Sequence, residues 1–100
     1  MRVISLKPLR EFWLRRPDAE KPLRDWYRTA SHAEWRNLTH VRETYRHADA
    51  VKTANGDILT VFNIGGNKYR LIARIRFDYR LVNVRAVLTH AEYNQQGWKE

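Results

Sequence analysis

The chain changes its hydrophobic period once, at the turn signal Asn55-Gly56-Asp57, and that change limits its fold more than any other feature. Beyond it, Ile58 to Ile64 is apolar and β-branched, Gly65-Gly66-Asn67 reads as a hairpin turn, and Tyr69 to Phe77 alternates from one residue to the next. Asp78-Tyr79-Arg80 turns the chain again, and Leu81 to Leu88 completes a three-strand meander.

Ahead of the turn the spacing is helical. Leu6, Leu9, Phe12 and Trp13 share one face of a segment from Leu6 to Arg16, with Ser5 in cap position and Pro17 as its stop. Asp18 stands where it can cap a second helix, on which Leu23, Trp26, Tyr27 and Ala30 repeat the spacing. The stretch 31–57 is less patterned, but Trp35, Leu38, Val41 and Tyr45 predict a third short helix. Val3-Ile4 reads as a short first strand, available to the edge of the sheet. The expected architecture is one α+β domain over 1–100, in the order β-α-α-(α)-β-β-β, with the helix pair on one sheet face. Trp13, Trp26 and Trp35 fall at core positions, while Trp98 near the tail could pack or stack on bases.

Composition narrows the partner. A net charge of +8 and a pI near 10.3 point to a polyanion, nucleic acid first. Of the 19 basic residues, 14 are Arg and 5 Lys, and the planar guanidinium fork matches phosphate oxygens. Hydrophobic residues at 43% and aromatics at 12% exclude a disordered chain. The absence of cysteine excludes disulfides, thiolate chemistry and Cys-based zinc sites. No run approaches the ~20 apolar residues of a membrane span, and Met1-Arg2-Val3-Ile4-Ser5 has no long apolar core behind it. The expectation is a soluble cytoplasmic protein.

Charge concentrates in the last third, with six positive and one negative side chain between Lys68 and His90. By strand alternation, Tyr69, Leu71, Ala73, Ile75 and Phe77 face the helices. Lys68, Arg70, Arg74 and Arg76 face the other way, interrupted only by Ile72. Arg85 shares parity with Asn83 and Val87 and could join that basic face from the last strand. Such a face either cradles a phosphate backbone and stabilises charge on a reacting phosphorus, or simply solvates the sheet.

His90 ends the last strand, where an imidazole can act as general acid or base near neutral pH. The same residue also falls inside a Thr89-x-x-Glu92 capping box, and a cap would fix its position. Tyr93 lies one helical turn further on and could donate a proton, stack on a base or anchor the tail. His32, His40 and His47 sit among polar neighbours without the i, i+4 spacing of a helical metal clamp, so neither a metal nor a cofactor site is expected. No Walker or dinucleotide pattern surrounds Gly65-Gly66, and paired carboxylates are missing from the basic segment.

Val61-Phe62-Asn63-Ile64-Gly65-Gly66-Asn67-Lys68-Tyr69-Arg70-Leu71-Ile72 and Thr89-His90-Ala91-Glu92-Tyr93 resemble the HigB family of bacterial type II toxins. So do Met1-Arg2-Val3-Ile4-Ser5, Leu9-Arg10-Glu11-Phe12-Trp13, Pro17-Asp18-Ala19 and Trp26-Tyr27-Arg28. The resemblance implies a RelE-like fold: a small antiparallel sheet with helices on one face. It also implies an mRNA interferase acting on the translating ribosome, and a helix-turn-helix antitoxin of the HigA kind that silences it. The toxin alone is expected to be monomeric, and the pair a hetero-oligomer. The implied chemistry is metal-free: the RNA's own 2′-hydroxyl attacks the adjacent phosphorus. On these motifs Arg70 matches the arginine at the scissile phosphate, His90 the acid or base, and Tyr93 the tyrosine that follows it, with Lys68 and Arg74 as helpers. Two positions depart from the family pattern: Gly65, where a lysine is usual, and Asn94, where an aspartate is usual. The rival reading is a non-catalytic module that blocks translation with the same basic face. A DNA-binding accessory role is disfavoured, because the charge lies on strands rather than on a recognition helix.

Overall fold

The computed structural model describes residues 1–99. Strand β1 (Arg2–Ile4) leads into helix α1 (Lys7–Arg15); Ser5 Oγ accepts the Lys7 amide at 3.2 Å, but Leu6 rather than Ser5 occupies the cap position, which has no side-chain cap. Pro17 stops α1 and opens a 3-10 turn over Pro17–Ala19, after which α2 (Glu20–His32) begins without a side-chain cap. The expected Asp18 cap is therefore not formed; that carboxylate bonds instead to Lys68 and Tyr69 beside the β3–β4 turn, as described below. Helix α3 is shorter than its apolar pattern suggests, Leu38–Thr44. Asn37 caps it, its side chain accepting the His40 amide at 3.0 Å, and this leaves Trp35 and Tyr45 as flanking packers.

The sheet has five strands in the order β1-β5-β4-β3-β2, with β2 at Asp49–Lys52, β3 at Ile58–Ile64, β4 at Tyr69–Arg76 and β5 at Leu81–Thr89. The three-strand meander and the edge position of the first strand are as expected. Because β1 runs parallel to β5, the sheet is mixed rather than purely antiparallel. Strand β2, which the sequence pattern does not reveal, pairs antiparallel with β3; as an exposed edge it has no apolar alternation to betray it. Gly65 and Gly66 take φ of 62° and 71° in the β3–β4 turn, the left-handed geometry that favours glycine in a tight hairpin.

Helices α1 and α2 cover one face of the sheet. Leu9, Phe12, Leu23 and Trp26 meet Phe62, Leu71, Ala73 and Val82 there, and Trp13, Trp26 and Trp35 are all buried as their spacing predicts. Phe62 sits at the centre, with the rings of Trp26 and Tyr45 each 5.4 Å away. Met1 anchors β1 to the end of α2 by donating from its ammonium to the Ala33 carbonyl.

The opposite face is not the bare basic surface that alternation implies. Leu59, Val61 and Ile72 form a second apolar cluster, closed over by Leu88, Tyr93 and Trp98. A β-bulge also breaks the alternation on β5. Ile72 pairs with Ala86 and Ala73 with Val84, which leaves Arg85 without a partner across the ladder. Val84 and Val87 consequently share the helix-covered core, while Ala86 and Leu88 join the second cluster. The bulge thus takes Val87 out of the grouping with Arg85 and Asn83.

Candidate active site

The site is assembled where β5 runs into helix α4 (His90–Gln95). The expected capping box is present: Thr89 Oγ1 accepts the Glu92 amide at 3.2 Å, and the Thr89 amide donates to Glu92 Oε1 at 2.9 Å. That backbone hydrogen bond to Thr89 holds the Glu92 carboxyl below its ordinary range. The box starts the helix at His90, one residue beyond the Thr89–Tyr69 pairing on β4. His90 is exposed, and its Nδ1 lies 3.2 Å from the side-chain amide of Asn94. Asn94 therefore meets the histidine as an uncharged amide.

Arg70 is the buried member of the basic set, only 9% exposed. Its Nη1 donates to the carbonyls of Asn67 and Tyr69, both at 3.2 Å, and its Nη2 to Asn67 Oδ1 at 2.6 Å. These three hydrogen bonds leave two of the five guanidinium donors open. All three acceptors are neutral, and among the described residues no carboxylate pairs with Arg70. The guanidinium lies 5.5 Å from the centre of the Tyr93 ring. On its other flank Tyr93 stacks on Trp98 at 5.1 Å and 16°, and Trp98 Nε1 donates to the Tyr93 carbonyl at 3.0 Å. Of the two roles open to Trp98, the fold uses packing.

Arg70, Tyr93, His90 and Asn94 thus share one end of the sheet, and the other basic residues are spread more widely. Lys68 leaves the site: it belongs to the hairpin turn rather than the strand, and its Nζ donates to Asp18 Oδ2 at 2.7 Å. The Tyr69 hydroxyl donates to the other oxygen of that carboxylate, also at 2.7 Å. The hydrogen bond from Lys68, then that from Tyr69, holds Asp18 below its ordinary value of 3.8, and the same carboxylate raises both partners. Arg76, at the far end of β4, pairs with Asp78 at 3.3 Å and stacks over Tyr79 at 4.7 Å. Arg74 stands opposite Asn83 with no ion pair among the described residues, about 13 Å along the strand from Arg70. Arg85 is exposed at the bulge.

Sequence reasoning set His47 aside, yet it lines an open groove with Asn63, Gly66 and Asn67, beside Arg70. No local pattern signals this, because His47 lies in the turn before β2 and reaches Asn63 only through the pairing of β2 with β3.

A family model described as HigB_toxin, the RelE-like toxic component of a toxin-antitoxin system, matches residues 19–96. The chain belongs to the HigB toxin family. A relative from Escherichia coli O6:H1, strain CFT073, called mRNA interferase HigB, is 28% identical over 95 residues, covering 95% of this chain and 90% of that protein. The mRNA interferase toxin HigB of Escherichia coli K12 is 44% identical over 34 residues, 34% of this chain and 33% of that protein. The α+β fold is the one expected of a HigB toxin, with helices on one sheet face and the hairpin and capping-box motifs meeting at one end. Among the described residues no helix is long and apolar enough to cross a membrane.

Proposed function

We propose that this HigB toxin is an endoribonuclease that cuts messenger RNA on the ribosome, and that a helix-turn-helix antitoxin restrains it. The observation that carries the reading is Arg70: a buried guanidinium, held by three neutral acceptors, with no carboxylate partner among the described residues. A buried cation left without a counter-charge is a site for an anion, and a phosphodiester supplies one. The relatives' names, mRNA interferase, support RNA as its source.

In the reaction, the 2′-hydroxyl oxygen of the substrate forms a bond to the adjacent phosphorus as the P–O5′ bond breaks. The products are a 2′,3′-cyclic phosphate and a free 5′-hydroxyl. One group must take the 2′-hydroxyl proton and another must give a proton to the departing O5′. His90, exposed at the start of α4, is assigned one of these transfers. Tyr93 holds its ring against Arg70 and offers its phenol for the other. The two open donors of Arg70 meet the charge that builds on the phosphoryl oxygens. Arg74, Arg76 and Arg85 extend a weaker positive field along the RNA, and Lys68 contributes mainly to the fold through Asp18.

The test is primer extension on a reporter mRNA after brief induction of wild type, Arg70→Ala and His90→Ala. New 5′ ends with wild type alone are the expected result. Growth arrest with intact message, retained by His90→Ala and lost by Arg70→Ala, would replace the nuclease with a module that blocks translation by binding.

A further inference from the structure

Arg70 does not end the polar surface at this end of the sheet. Its cross-strand partner on β3 is Asn63, and its Nη2 is bonded to Asn67 Oδ1. These two asparagines form one wall of the open groove whose other side is His47. A contiguous hollow shares His47, Asn63 and Gly66 and continues to Tyr45 and Arg46. The groove therefore starts where the anion site stops.

Its chemistry differs from that of the phosphate site. Asn63 is half-buried, and its side chain makes no hydrogen bond among the described residues, so it presents both a donor and an acceptor. Asn67 spends its oxygen on Arg70 and keeps its NH₂ for another acceptor. His47 is exposed and adds a flat ring with one donor and one acceptor nitrogen when neutral. Paired amide donors and acceptors beside a flat ring match the edge and face of a nucleobase, and the cation Arg46 belongs to the adjoining hollow rather than to the groove of His47, Asn63, Gly66 and Asn67. Asn63 is one strand from Arg70, about 5 Å, so a base seated there belongs to a nucleotide next to the bound phosphate.

We propose that the groove between His47 and Asn63–Asn67 is a base-binding subsite that sets the sequence preference of cleavage at one position beside the cut. The proposal rests on the nuclease reading above, and the experiment separates the two. Cleavage sites of wild type, His47→Ala and Asn63→Ala are mapped on a single long mRNA. The expected result is that wild type prefers particular bases at one flanking position, and that each variant lowers this preference about tenfold while preferences elsewhere stay. Variants that cut with unchanged preference at every position would overturn the subsite and leave the nuclease standing. A wild type that cuts nothing would overturn both. Since Asn63→Ala could fail to fold, a second measurement uses purified His90→Ala protein and the surface variant His47→Ala built on it. Binding is titrated with four tetranucleotides carrying 2′-deoxyribose at the cleavage position and differing only in the flanking base. Equal affinity for all four in the His90→Ala parent would also overturn the subsite.

Discussion

Trp98 holds helix α4, which carries His90 and Tyr93, in place although it lies outside the basic surface. Helix α4 has six residues and buries none of them fully, so it cannot persist by its own hydrogen bonds. Its attachment runs through Tyr93, which is flanked by Arg70 and Trp98. Trp98→Ala deletes the stacked pair, worth about 0.5–1.5 kcal/mol, and the Nε1 hydrogen bond to the Tyr93 carbonyl, about 1 kcal/mol. It also uncovers part of the Leu59, Val61 and Ile72 cluster. A total near 2 kcal/mol corresponds to about thirtyfold more frequent opening of α4. The helix-side core does not touch Trp98, so the loss is local rather than global. Hydrogen exchange over residues 90–99 should accelerate by about that factor, with little change across Phe62 and Leu71. Cleavage should fall in parallel, since His90 and Tyr93 ride on the same helix. Unchanged exchange in α4, or fast exchange with undiminished cleavage, would show that this stack does not position the site.

Three further outcomes follow from the same geometry. Arg70→Lys keeps the charge but loses the fork that binds Asn67 and Tyr69, and single-turnover cleavage should fall about a hundredfold; a loss under tenfold would remove Arg70 from transition-state stabilisation. Asn94→Ala removes one hydrogen bond to His90, about 1 kcal/mol, and should slow cleavage about fivefold without lowering the melting temperature. Asp18 is held below 3.8 by Lys68 and Tyr69, so its contribution is present above that pH and is lost as pH falls through the lowered value. Asp18→Asn should therefore be less stable than wild type at neutral pH. The two melting temperatures should converge only as pH falls below 3.8 and on through the lowered value, and a constant gap across the acid range would contradict the assignment.

Much of this protein can be read from short stretches of sequence. The glycine pair at 65 and 66 makes the β3–β4 hairpin because few other residues tolerate a positive φ there. Thr89 and Glu92 are three residues apart, and that alone specifies the capping box that starts helix α4 at His90. The helical spacing of Leu23, Trp26 and Ala30 names the face that reaches the core. All of these depend on neighbours within about one turn, where backbone preference and side-chain period act directly. Strand β2 stayed hidden because its stability comes from pairing with β3 rather than from an apolar face of its own. Which basic residues are paired off and which is buried was equally illegible. Lys68 is turned away by Asp18, 50 residues earlier, and Arg85 is displaced by a bulge that only the β4 register reveals. Arg70 is buried where Asn67 of the hairpin turn and Tyr93 of α4 converge on it, with Trp98 stacked on Tyr93 in turn. The sequence by itself determined the elements that carry a hydrophobic period or a cap, and the residue types available for phosphate chemistry. Which charges are paired off, which one is buried without a partner, and what lies beside it were decided by tertiary contacts, because burial and counter-charge are properties of distant segments brought together.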